Sequence, residues 1–163
     1  MNADRLAEIL RMHALWLAGD GGERADLRDA YLRGANLTDA DFRDANLTKA
    51  NLTKANLTDA NLTDADLQDA DLTEATMPDG RQWEEYRRDP IAGICRTPEV
   101  RERAETAARD GGHVWSNCPM HAAHGWGGMG DVPADLRITV AAFVAVYDAG
   151  LLDGFWPLEV TNG

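Results

Sequence analysis

The sequence is short of cysteine, lysine and long apolar runs, and each shortage excludes something. Two cysteines in 163 residues, Cys95 and Cys118, cannot make a disulfide framework. Lysine occurs only at Lys49 and Lys54, so 16 cations face 28 carboxylates and the formal net charge is -12. Nucleic-acid binding draws its affinity from Lys and Arg on phosphates, and docking to an anionic membrane surface needs the same residues. Neither fits this balance; the preferred partners are neutral or basic. The longest apolar run, Ile138 to Tyr147, is about half of what a bilayer span requires. The first twenty residues contain Asp4 and Glu8 and lack an apolar core of the kind a secretion signal carries. The expected location is cytoplasmic.

Against these absences stands one strong presence. From Ala25 to Asp79 the chain steps in fives: ADLRD, AYLRG, ANLTD, ADFRD, ANLTK, ANLTK, ANLTD, ANLTD, ADLQD, ADLTE, ATMPD. Ala stands first in all eleven units, and Leu or Phe stands third in ten, with Met77 closing the series. A helix would scatter a five-residue period around its surface. A plain strand would alternate the Leu positions between faces, because five is odd. The pattern needs a backbone that turns a corner every five residues, with Ala and Leu facing in.

This A-(D/N)-L-x-x pattern resembles the pentapeptide-repeat family. The resemblance implies a mainly β fold, a short right-handed quadrilateral β-helix in which four pentapeptides make one coil. Eleven units then give under three coils, a rod about 13 Å long at the strand spacing. The leading helix, the ADL repeats and a tail such as WSNCPMHAAHGWGG together look like pentapeptide proteins encoded by actinobacterial phages.

With four sides per coil, residues twenty apart stack, and charges sort by side. The third side carries Asp39, Asp59 and Asp79 with no cation; the fourth carries Asp41, Asp44 and Asp64 against Arg43. These adjoining sides hold a net -5 of the -7 in the repeats. Like charges at ladder spacing cost stability. They are read here either as a solvated surface or as an interaction surface for a basic partner.

Three regions are expected: residues 1–24 as an N-terminal amphipathic capping helix, 25–79 as the β-helix, and 80–163 as a small helical C-terminal domain. Leu6, Ile9, Leu10, His13, Trp16 and Leu17 form one apolar stripe on the leading helix. That helix covers the first coil, since a bare solenoid end exposes apolar residues and strand edges. His13 on this stripe reads as a packed, hydrogen-bonded residue. Further helices are expected over Arg81 to Arg88, from Thr97 to about Arg109, and from near Pro133 to a point before Gly150. The last of these should bury Val140, Phe143, Val144, Tyr147 and Leu151.

The densest reactive cluster is GHVWSNCPMHAAHG. Cys95, Cys118, His121 and His124 could form a tetrahedral structural zinc site, although the spacing is not that of a standard finger. Cys118 could alternatively be a thiol nucleophile at a helix N-terminus. The third reading is two buried thiols and packed histidines, with no cofactor. GWGGMG lacks the GK[ST] and preceding strand of a phosphate loop.

No catalytic constellation stands out, so the expected function is a non-catalytic protein-interaction module, not an enzyme, presenting acidic β-helix faces to a protein partner. The resemblance adds an alternative, because some pentapeptide-repeat proteins mimic duplex DNA and bind DNA gyrase. Charge sign agrees with that alternative. Length opposes it, because about 13 Å covers some four base pairs, and a gate mimic would need an end-to-end homodimer.

Overall fold

A period of five makes a four-cornered coil only if residues twenty apart pair. They do. Parallel bridges join Asp26 to Asn46, Tyr31 to Asn51, Asn36 to Asn56 and Asp41 to Asn61, and the next coil continues them to Asp66, Asp71 and Thr76. These contacts come from a computed structural model, which describes residues 1–88, 132–149 and 151. Every side contributes a single bridged residue, and no longer strand occurs among the described residues. The β character therefore lies in stacked bridges between turns, not in extended strands.

One side shows the bonding that the others repeat. Leu27 N–H donates to the Asn46 carbonyl at 2.7 Å, Asp29 N–H to Thr48 at 3.0 Å, and Asn46 N–H to Ala25 at 3.0 Å. The corner is a turn closed by Ala30 N–H on the Leu27 carbonyl at 3.1 Å. Its third residue, Asp29, has φ 54°, and the fifth residue of every unit through Glu74 likewise lies in the left-handed region. That region is costly for most L-residues and least so for Gly, Asn and Asp. Asp at most fifth positions and Gly34 at another follow from this demand.

The second position faces solvent less than its sequence suggests. Its Asp or Asn Oδ1 accepts the N–H of the residue two further on, as Asn46 does from Thr48 at 3.0 Å and Asn56 from Thr58 at 3.0 Å. That N–H points away from the ladder, so the side chain supplies the partner that the backbone lacks. Thr at the fourth position adds its hydroxyl to the same oxygen, at 2.6 Å in both units. Tyr31 breaks the rule and stands 59% exposed.

The third-position side chains from Leu27 to Met77 and the alanines from Ala45 to Ala75 fill the interior. At the first coil the cover is helix α1 (Ala3–Ala18). Asn2 caps it by accepting Arg5 N–H at 2.9 Å, and Gly19 ends it with φ 76°. The chain then folds back so closely that a Cβ on Gly22 would collide with the Met12 carbonyl. Leu6, Ile9 and Leu10 pack on the core, and His13 is fully buried. Trp16 departs from the expected stripe: it is 38% exposed, stacked on His13 at 5.6 Å.

Past the repeats the chain reverses. Thr76 pairs antiparallel with Gln82, Met77 N–H donates to Arg81 at 2.7 Å and Trp83 N–H to Ala75 at 2.7 Å. Helix α2 is a single turn, Trp83–Tyr86, shorter than the expected Arg81 to Arg88, with both aromatics buried. A 3₁₀ turn, Ala134–Leu136, leads into helix α3 (Arg137–Asp148). Val140 and Phe143 of α3 are buried in the same cluster as the coil leucines, joined by Ala142, Ala145 and Val146. Val144, Tyr147 and Leu151 are half-buried against it. The helix expected from Thr97 lies outside the described residues.

Candidate interaction surface

The six carboxylates singled out by charge sorting fall into two chemical groups. Asp39, Asp44, Asp59 and Asp64 occupy fifth positions, with φ between 55° and 59°. The backbone N–H groups of Asp39, Asp44 and Asp59 are held by the next coil, at 2.9–3.0 Å from Thr58, Thr63 and Pro78 carbonyls. All four side chains are exposed, and none forms an ion pair among the described residues. Asp39 and Asp59 stack on the third side, Asp44 and Asp64 on the fourth, about 4.8 Å apart along the ladder.

Asp41 and Asp79 behave differently. Asp41 accepts the N–H of Arg43 at 3.2 Å and pairs with its guanidinium at 2.6 Å. Partial burial pushes its carboxyl up, but the Arg43 hydrogen bonds outweigh that and hold it below the usual carboxylate range. Asp79 pairs with Arg81 at 2.6 Å, with only 12% of the aspartate side chain exposed. The Arg81 guanidinium in turn lies over the Tyr86 ring at 4.9 Å. The open acidic surface is thus four carboxylates, not six. The missed signal is an Arg two residues after an Asp, which recurs at Asp26–Arg28, also paired at 2.6 Å. The second side sets Arg33 and Lys54 against Asp71 and Glu74 and is neutral, with Lys54 on Glu74 at 3.2 Å.

His13 is packed and hydrogen-bonded, as expected. Its Nδ1 accepts Ala25 N–H at 3.1 Å. In later units that first-position N–H closes the preceding turn, as Ala45 does on Phe42 at 2.9 Å. Ala25 has no preceding unit, and the imidazole replaces the missing carbonyl. The sequence-predicted zinc ligands Cys95, Cys118, His121 and His124, and with them the Cys118 nucleophile, lie outside the described residues. Among the described residues no three His, Cys, Asp or Glu side chains are grouped to hold a metal.

The family described as Pentapeptide repeats matches residues 25–64 and 40–77, in eight copies. Residues 25–77 belong to the pentapeptide-repeat family. The repeat segment is accordingly a right-handed β-helix, and the family is in general non-catalytic. A crystal structure similar to it is that of HetL, a pentapeptide repeat protein involved in heterocyst differentiation regulation from the cyanobacterium Nostoc sp. strain PCC 7120. The two are 48% identical over 39% of this chain and 24% of HetL, with a TM-score of 0.24. The aligned stretch is thus about a quarter of HetL's length. No curated protein matches the chain. No helix among the described residues is long and apolar enough to cross a membrane.

Proposed function

We propose that this pentapeptide-repeat protein is a non-catalytic interaction module of the cytoplasm, whose acidic columns dock a basic surface of a protein partner. The observation that carries the reading is the pairing pattern on sides three and four. Asp39, Asp44, Asp59 and Asp64 are exposed and form no ion pair among the described residues, and ladder bonds fix the backbone N–H groups of the first three. An array of like charges on a fixed backbone loses little backbone freedom on binding, and its mutual repulsion is relieved when a cationic partner covers it. The test is affinity purification from the native host with wild type and with Asp39→Lys/Asp59→Lys. The variant loses the partner if the columns bind it. Lys is tolerated in this backbone, since Lys49 and Lys54 occupy the same position with φ 57° and 61°.

The sign of the charge also favours a second reading, a DNA-mimic inhibitor of DNA gyrase. Four open carboxylates on a rod of about 13 Å face few base pairs' worth of gyrase surface. End-to-end dimers would lengthen the array. Micromolar protein then inhibits gyrase supercoiling, and Asp39→Lys/Asp59→Lys weakens the effect; no inhibition at tens of micromolar removes this reading. The zinc and thiol readings of Cys95, Cys118, His121 and His124 rest on residue type and spacing. Metal analysis of purified protein and thiol labelling with and without chelator test them.

A further inference from the structure

On the coil and its returning segment three arginines stand two residues after an aspartate, and each aspartate holds its arginine by backbone and side chain together. Asp26 accepts Arg28 N–H at 3.3 Å and pairs with the guanidinium at 2.6 Å. Asp41 does the same for Arg43 at 3.2 and 2.6 Å, and Asp79 for Arg81 at 3.1 and 2.6 Å. Arg33 is the remaining arginine of the repeats, and Tyr31 stands where its aspartate would be. Neither its N–H nor its guanidinium has a partner among the described residues. Thr76 also departs from Asp or Asn at the second position, but the fourth residue of its unit is Pro78, which has no N–H to satisfy. AYLRG is thus the unit that forgoes a bond its neighbours make.

What the unit shows instead is an aromatic ring, since Tyr31 is 59% exposed. Beside it, between α1 and side two of the first coil, lies a groove of about 450 Å³. Leu6 and Leu10 of α1 and Leu32 and Ala35 of the coil give it apolar walls, and Tyr31 and Arg33 belong to the same lining. An apolar trough therefore ends on a cation and a backbone donor that lack their carboxylate. Side two is the neutral side, so an incoming carboxylate meets no acidic column there.

We propose that this groove docks a peptide segment of a partner protein that carries a carboxylate next to apolar side chains. An Asp or Glu of the segment accepts Arg33 N–H and pairs with its guanidinium, as Asp26, Asp41 and Asp79 do for their own arginines. A neighbouring apolar side chain lies against Tyr31, Leu6 and Leu10. The fold already replaces one missing acceptor from outside the repeats, where the His13 ring takes Ala25 N–H. The inference goes beyond the proposed function; it uses another side of the coil and a segment of opposite charge, so the two fail separately.

The test is an NMR titration of the full chain with a short capped peptide of alternating leucine and aspartate as the probe. The peptide should shift the Arg33 amide and the Tyr31 ring signals, and the same peptide with lysine for aspartate should not bind. Arg33→Thr should weaken binding about threefold or more. Tyr31→Asp supplies the carboxylate from within, so it should abolish binding and raise the urea midpoint. Both replacements are residues that other units carry at these positions, as Asp41 and Thr48 do, so both chains should fold. Asp39→Lys/Asp59→Lys should not weaken binding. Four results overturn the proposal: no binding, equal binding by wild type and Arg33→Thr, full binding by Tyr31→Asp, and a Tyr31→Asp chain no more stable than wild type, which would mean that Arg33 lacks no partner.

Discussion

The two ends of the coil solve the same problem differently. At the first coil, α1 brings both apolar cover and polar replacement: Leu6, Ile9 and Leu10 pack on the interior, and His13 stands in for a missing turn carbonyl. At the last coil the apolar cover is equally good, with Leu62, Leu67 and Leu72 at most 2% exposed. The backbone there is not matched. Among the described residues only side three receives a returning segment, and the N–H groups of Leu62, Leu67 and Leu72 find no partner. Burying side chains and pairing the backbone are separate requirements of a solenoid end, and one can be met without the other.

Breaking the returning segment should have the largest effect. Trp83 is 7% exposed and its neighbours close the third side, so Trp83→Ala should cost about 3–5 kcal/mol in urea unfolding. A loss under about 1 kcal/mol would mean that the return does not cap the coil. At the opposite end, His13→Ala removes a buried ring and the acceptor of Ala25 N–H. It should cost about 2–3 kcal/mol, and His13→Asn should recover part if the acceptor matters. The interior of the coil sets the baseline for both. Asn56→Ala there strands Thr58 N–H and should cost about 1 kcal/mol, the scale of a lost cap.

The smallest effect expected is one of pH. The Asp41 carboxyl is lowered by its Arg43 hydrogen bonds against the opposing effect of burial. A carboxylate depressed in the folded state stabilises at pH above its unfolded value, about 4, and that contribution is lost as pH falls through the folded value. Stability measured across this acid window should therefore fall less steeply in Asp41→Asn than in wild type. An unchanged slope would mean that the Asp41–Arg43 pair is not maintained in solution.

How much of this was legible in the sequence follows from where each bond comes from. The coil was legible because every unit repeats one set of bonds, so Ala, Leu and the five-residue step report the same geometry eleven times. The role of His13 was legible in outline from its place on the α1 stripe. Its partner was not, since Ala25 lies twelve residues on and is reached only through the Gly19 to Gly22 turn. Sorting by side counted Arg43 but could not say which aspartate it pairs with, and it left out Arg81 beyond the repeats; each reaches back two residues, to Asp41 and Asp79. The unpaired edge depends on how the chain returns after Asp79, where the repeat no longer dictates direction.

On the proposed function, the open carboxylates of sides three and four, and not net acidity, bind the protein partner. The most direct measurement is capture from the native host with wild type, with Asp39→Lys/Asp59→Lys, and with Asp29→Lys/Asp69→Lys on side one as a charge-matched control. Circular dichroism should show all three folded. Wild type and the side-one control should retain a partner that the side-three variant loses. A partner held equally by all three, or lost equally from both variants, would contradict the proposed function.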